Sequence, residues 1–224
     1  TGVCLVTSSP DAERTMHTHL GVSRELTPDD VVLDDLRASR YLYVTGYLWD
    51  TPGQKAAVTH AMRAANAAGV KVAFSLSDPF CVGRHRDDFL GLLDAHVDVV
   101  LSNADEATAL VGIDDPVSAA RELARRSGHL AVVTRDRLGA LLADGDGVEA
   151  VPAFPVSAVD TTGAGDMYAA GILFGLTRGL ELRATGLLAG YLAAQVVAQY
   201  GPRLEAVDLD AAYGWAGIAP PERG

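Results

Sequence analysis

The chain is short of cysteine, lysine, positive charge and long apolar runs, and each shortage removes a class of function. Its two cysteines, Cys4 and Cys81, are far apart and form no C-x-x-C, so reduced thiols and a cytoplasmic setting are expected rather than a disulfide framework. The formal net charge of −11 argues against a nucleic-acid partner, which needs a basic footprint, but not against a nucleotide, which local backbone N–H groups can hold. Lys55 and Lys71 are the only lysines, and neither follows a glycine-rich loop, which excludes a P-loop. No apolar run approaches the roughly 18 residues needed to span a bilayer, so no membrane partner is expected. No basic segment leads into an apolar stretch, which argues against a signal peptide. No repeat, linker or low-complexity tract interrupts the chain. What remains is 224 residues, 49% hydrophobic, enough for one domain with a sizeable core.

The most informative stretch is Asp160-Thr161-Thr162-Gly163-Ala164-Gly165-Asp166, which runs into the apolar segment Met167–Leu176. Gly163 and Gly165 can take backbone angles closed to other residues and carry no side chain to block a ligand. The first turn of the following helix has unpaired N–H groups and the positive end of the helix dipole. Together these make a pocket for an anion, most simply a phosphate. A carboxylate beside such a pocket repels the ligand, so Asp166 makes sense if it takes a proton from an attacking hydroxyl, as in phosphoryl transfer. The competing reading is a tight turn followed by an acidic residue that favours a helix start. A dinucleotide fingerprint fails because Tyr168 stands at its third small position.

Earlier in the chain, Val3–Thr7 and Arg14–Thr18 read as two strands of a hairpin-like piece, with His17 and His19 as ordinary polar strand residues. Thr27-Pro28-Asp29-Asp30 caps a helix expected to reach Ser39. Strands are then expected at 41–45, 70–75, 97–101 and 130–134. Helices are expected at 54–68, 86–95, 104–111, 116–127, 167–176 and 187–195. This alternation predicts an α/β fold with a mostly parallel sheet covered by helices on both faces. Ligands of such sheets sit outside the carboxyl ends of the strands. Asn103 and Glu106 fall there, and their spacing alone equally makes a capping box. Thr134 to Gly139 falls there too, and is also a plain strand-to-strand turn. So does Ser75-Leu76-Ser77-Asp78-Pro79-Phe80, where Asp78-Pro79 also makes an ordinary turn. Gly190 and Tyr191 lie on the last long apolar helix, where Tyr191 fits either as a stacking ring or as core.

The run from Asp160 to Asp166, with the small-residue helix behind it, resembles the C-terminal signature of the ribokinase-like, phosphofructokinase B type family of sugar and nucleoside kinases. The resemblance implies a ribokinase-like three-layer fold. It implies an anion hole formed by Gly163, Ala164, Gly165 and the amide of Asp166, with Asp166 as catalytic base. Asn103 and Glu106 match the family's Asn-x-x-Glu, which implies that they organise phosphate and Mg2+, Glu106 acting on the metal through water. Thr134, Gly139, Gly190 and Tyr191 fall where the family binds its nucleotide. Asp136 departs from the family's usual glycine, and Tyr191 from its usual Asn or His. Glu13-Arg14-Thr15-Met16, Leu20-Gly21 and Ser-Leu-Ser-Asp-Pro-Phe resemble the adenosine-kinase-like branch, which implies that Arg14 reaches the transferred phosphate. The implied cofactors are ATP and Mg2+, with a monovalent cation as a further candidate. The implied substrate is a nucleoside, with a sugar of the ribose or fructose type as the alternative, and the implied assembly is a homodimer through the lid. Family members begin with further strands that hold the acceptor's hydroxyls. Residues 1–22 are therefore expected to form a partial β lid and 23–224 a core lacking its N-terminal strands. Such a chain would be a fragment or truncated relative with little activity alone, or a non-catalytic binding fold.

Overall fold

A computed structural model describes residues 2–8 and 14–220. Strands β1 (Val3–Ser8) and β2 (Arg14–His19) form a two-stranded sheet on which Val3, Leu5 and Met16 are exposed. The Ser9-Pro10-Asp11 turn between them, Glu13 and the side chain of Arg14 lie outside the described residues. A six-stranded sheet follows in the order β3-β4-β5-β6-β7-β8. Its strands are β3 (Tyr41–Thr45), β4 (Lys71–Ser75), β5 (Val99–Asn103), β6 (Leu130–Thr134), β7 (Ala140–Ala143) and β8 (Val148–Val151). The helices are α1 (Leu33–Ala38), α2 (Pro52–Ala68), α3 (Pro79–Ala95), α4 (Ala104–Val111), α5 (Pro116–Ser127), α6 (Ala164–Arg178), α7 (Leu182–Val197) and α8 (Leu209–Ala216). The expected α/β class with a mostly parallel, helix-flanked sheet is what the chain adopts. None of the described helices is long and apolar enough to cross a membrane.

The chain divides into two compact units. The first comprises Thr1–Leu5, His17–Val133 and Ala143–Val148. In it β3, β4 and β5 pair in parallel, with Val44 opposite Phe74 and Phe74 opposite Val100. Val72, Ala73 and Phe74 are fully buried, as both faces of a helix-covered parallel strand require. Phe74 and Phe89 meet edge to face at 5.0 Å in the centre of this core. Helix boundaries follow local chemistry. Thr51 and Gln54 close a capping box on α2, and Gly69 ends that helix in the left-handed region at φ 73°.

Three expectations shift. The capping box at Thr27 opens only a 3-10 turn, Pro28–Asp30, and α1 begins separately after the extended Val31-Val32. Helix α3 starts at Pro79, capped by Asp78, and is kinked at His85 (φ −127°, ψ 24°). β5 begins two residues later than its apolar run, because the Asp98 carboxylate accepts from Val72 N at 2.9 Å and from Lys71 Nζ at 2.7 Å. Cys81 is fully buried, its Sγ donates to Gly46 O, and burial pushes the thiol up to about 12, which makes it inert.

The second unit comprises Val6–Met16, Thr134–Leu142 and Glu149–Gly224. Helices α6 and α7 approach so closely that a Cβ on Gly171 would lie 2.5 Å from Ala189 Cα, and one on Gly175 2.5 Å from the Thr185 side chain. Tyr168 is buried between them and donates its hydroxyl to Gly186 O at 3.2 Å. Helix α8 packs Ala212, Tyr213 and Ala216 against Leu188 and Leu192 of α7.

Candidate active site

The loop 160–163 delivers the chain into α6, and its shape comes from a buried carboxylate. Asp160 is 5% exposed; its Oδ1 accepts from Thr162 N at 2.9 Å and Thr162 Oγ1 at 2.6 Å, and its Oδ2 from Gly201 N at 3.1 Å. Val159 N donates to Val197 O at 2.7 Å, so the loop is fastened to the end of α7. Gly163 then sits at φ 84°, where a side chain would also collide with Pro202 O and Cα at 2.7–2.8 Å. Gly165, in the first turn, meets nothing within 4 Å of where its Cβ would stand. The two glycines therefore have different reasons. Gly163 yields to the chain itself, and Gly165 leaves open space beside the helix start.

Ala164 N bonds to Thr161 O at 3.3 Å, and Met167 N makes the first α-helical bond, to Gly163 O at 2.9 Å. The amides of Gly165 and Asp166 lie between them, in the part of a helix where donors have no intrahelical acceptor. Asp166, third residue of α6, is exposed. Open amides, an absent side chain and an accessible carboxylate thus share one helical turn. This arrangement can receive an anion and accept a proton beside it.

The turn Thr134–Gly139 belongs to the same unit. Arg135 N donates to Gly139 O at 2.7 Å, and Leu138 N to Arg135 O at 2.9 Å. Asp136, standing where glycine is usual in the resembling family, takes φ 50°, a left-handed angle that Asp tolerates better than most residues. Gly139 is required by its own chain, because a Cβ there would lie 2.0 Å from Val151 O. Gly190 has room for a Cβ, with Pro152 O and Tyr168 both 3.9 Å away. Tyr191 is 9% exposed and meets Phe154 edge to face at 4.9 Å within the α7–α8 core. Of the two roles its sequence position allowed, packing is seen in this core.

In the first unit, Asn103 and Glu106 form a reciprocal capping box at the carboxyl end of β5. Glu106 N donates to Asn103 Oδ1 at 2.8 Å, and Asn103 gives its N and Nδ2 to the two Glu106 oxygens at 3.0 and 2.8 Å. Glu106 is 5% exposed. Burial pushes its carboxyl up to about 7, against the pull of the Asn103 amide, with the charges of Asp78 and Asp105 adding to the rise. Asp78 stands at the carboxyl end of β4, where it caps α3 and follows Ser77, a residue held at φ 79°. A half-neutral buried carboxyl with acidic neighbours is a group that a cation would favour. Among the described residues no three His, Cys, Asp or Glu converge to hold a metal by themselves. In the sequence, Asp78 and Asp160 read only as members of candidate stretches, without roles of their own. The first looked like a turn residue, and the second shows its role only through Gly201, forty-one residues away.

The family model described as pfkB family carbohydrate kinase matches residues 1–208. An adenosine kinase from Sinorhizobium meliloti is similar in structure, with a TM-score of 0.91 and 41% identity over 96% of this chain and 66% of that one. A probable sugar kinase from Rhizobium etli has a TM-score of 0.92 and 38% identity over 98% and 66% of the two chains. A cytidine kinase from Thermococcus kodakarensis is 36% identical over 118 residues, 52% of this chain and 42% of its own length. The chain thus spans about half the length of such curated relatives and two-thirds that of the solved ones. By the match over residues 1–208, the chain belongs to the pfkB family of carbohydrate kinases.

Proposed function

We propose that the protein transfers the terminal phosphoryl group of ATP, with Mg2+, to an alcohol of a nucleoside, adenosine in the first place. The observation that carries this reading is the first turn of α6, where Gly165 leaves space beside two amides and Asp166 is exposed. In the proposed reaction the acceptor hydroxyl oxygen bonds to the γ-phosphorus while the bond from that phosphorus to the leaving ADP oxygen breaks. The Asp166 carboxylate takes the hydroxyl proton. The amides of Gly165 and Asp166 meet the charge on the phosphoryl oxygens, the Ala164 amide being taken by Thr161 O. Arg14, on β2, is assigned to the same phosphate.

Glu106 and Asn103 are the residues that would hold Mg2+, and the buried, raised carboxyl of Glu106 fits a cation. With no third ligand among the described residues, that ion would keep waters and take phosphate oxygens, neutralising charge on the nucleotide. Adenosine is preferred as acceptor because the 41%-identical neighbour is an adenosine kinase and because Ser75–Phe80 and Arg14–Met16 match that branch. A free sugar is the second reading, supported by the sugar kinase from Rhizobium etli. Initial rates of the protein with adenosine, ribose and fructose test it. Adenosine should give a kcat/KM at least about tenfold above the sugars, within the range over which a polar site discriminates. A higher value for a sugar transfers the assignment to the second reading, and no transfer to any of the three removes all of them as acceptors of this chain.

A further inference from the structure

Helix α3 is two pieces, and the first does not hold itself. The break at His85 leaves only residues 79–84 in front of it. A helical segment that short is marginal in water, so its place comes from what it touches. Its partners lie on the stretch after β3, within the same unit. Cys81 Sγ donates to Gly46 O at 3.2 Å, and Tyr47 gives its hydroxyl to Ser77 O at 3.1 Å. Asp50 holds the break itself, its Oδ1 accepting from Arg84 Nη2 at 3.0 Å and from His85 Nε2 at 3.2 Å. Beyond the break, Trp49 Nε1 and Lys55 Nζ both donate to Asp88 Oδ2, at 2.8 and 2.7 Å. Residues 46–55 thus splint α3 across its kink. The splinted segment stands at the carboxyl end of β4, the ligand end of such sheets, with Ser77 at φ 79° and Phe80 82% exposed. A left-handed angle at a residue other than glycine persists only where the surroundings impose it.

We propose that Asp50 is a positioning residue for the acceptor: by holding Arg84 and His85 it fixes residues 77–84 in the conformation the acceptor meets. The inference rests on the kinase reading above and adds to it a residue that acts through the chain rather than on the reacting atoms. Its loss should therefore cost acceptor affinity and spare the nucleotide, whose phosphate is assigned to the first turn of α6. One oxygen of Asp50 answers both donors, and an amide oxygen in the same place can do the same.

Titration calorimetry of the wild type, Asp50→Ala, Asp50→Asn and Asp94→Ala with adenosine and with ADP tests this, alongside amide hydrogen exchange of α3. Asp94→Ala is the control, since it removes an ion pair with Arg126 from the far end of the same helix. Asp50→Ala should weaken adenosine binding roughly 3- to 10-fold, because a smaller fraction of the protein holds the competent segment, and leave ADP binding as it was. Exchange should quicken in residues 79–85 and not in 87–95. Asp50→Asn, which keeps an acceptor for both donors, should retain most of the affinity, and Asp94→Ala should bind adenosine like the wild type. Adenosine affinity equal to wild type in Asp50→Ala overturns the proposal. So do equal losses for adenosine and ADP, or an equal quickening of exchange along all of α3, either of which would make Asp50 a general brace of the fold. Failure of the wild type itself to bind adenosine removes adenosine as the acceptor and the proposal with it.

Discussion

Gly163 and Gly165 offer a test in which two identical substitutions, two residues apart, have opposite consequences. Gly163→Ala places a side chain at φ 84°, which costs about 1–2 kcal/mol for an L-residue. It also drives the methyl to 2.7–2.8 Å from backbone atoms of Pro202, and overpacking of that kind costs about 1–3 kcal/mol. The sum is roughly 2–5 kcal/mol, a large part of the 5–15 kcal/mol typical of a folded domain. Gly165→Ala meets nothing within 4 Å and replaces a helical glycine, which should leave stability unchanged or raise it by up to about 0.5–1 kcal/mol. Its methyl would stand in the space assigned to the phosphate, so nucleotide affinity and turnover should fall although the fold is sound. Urea unfolding followed by far-ultraviolet circular dichroism reads the first quantity, and ADP titration the second. If Gly165→Ala binds ADP as tightly as wild type, the anion site is not at this turn. If Gly163→Ala loses less than about 1 kcal/mol, the Pro202 contact does not constrain the loop.

Asp166→Asn should lower kcat by about 10²–10⁴ while ADP affinity and the urea midpoint stay near wild type, because Asp166 is exposed and Asn serves equally at a helix start; an unchanged kcat rules it out as the base. Glu106 has a folded-state value of about 7 against its usual 4.5, so the folded state holds the proton longer and stability should fall as pH rises through that window, by at most about 3 kcal/mol, and level off above it. Unfolding midpoints from pH 4.5 to 8 should show this slope in wild type and a shallower one in Glu106→Gln; equal slopes would mean the carboxyl is not desolvated. Gly171→Ala should destabilise by about 1–3 kcal/mol, because its methyl would press on Ala189 Cα, whereas helix propensity alone predicts a gain; thermal unfolding decides between them.

The alternation of strands and helices was readable because apolar runs, capping residues and left-handed glycines such as Gly69, Gly112 and Gly128 are local signals. The candidate site was readable as a motif but not as a set of reasons. From sequence alone Gly139 and Gly163 resemble Gly165, yet Val151 explains one and Pro202 another, and those neighbours are distant in the chain. Tyr191 was undecided for the same cause: apolar periodicity marks a buried helix face, not what covers it. Helix α8 went unread because Glu205–Asp208 before it looks like loop, and the cap Asp208 gives to Ala211 N is visible only once the helix has formed. Asp50 carried no sequence signal, since the break it holds at His85 is a property of the folded helix.

The close contact of α6 with α7 has a consequence for how the site can change. Gly171 and Gly175 let α7 approach, the end of α7 carries Val197, and the turn just beyond it presents Gly201 to Asp160 and Pro202 to Gly163. The seven-residue signature therefore acts as half of a clasp whose other half arrives about forty residues later. Grafted alone onto another helix start, it should lose its shape. Conversely, drift in the small residues of the α6–α7 seam can detune the anion-facing amides while every letter of the signature stays intact. A relative that keeps the signature but has bulky residues in this seam is a candidate for a protein that has given up the reaction.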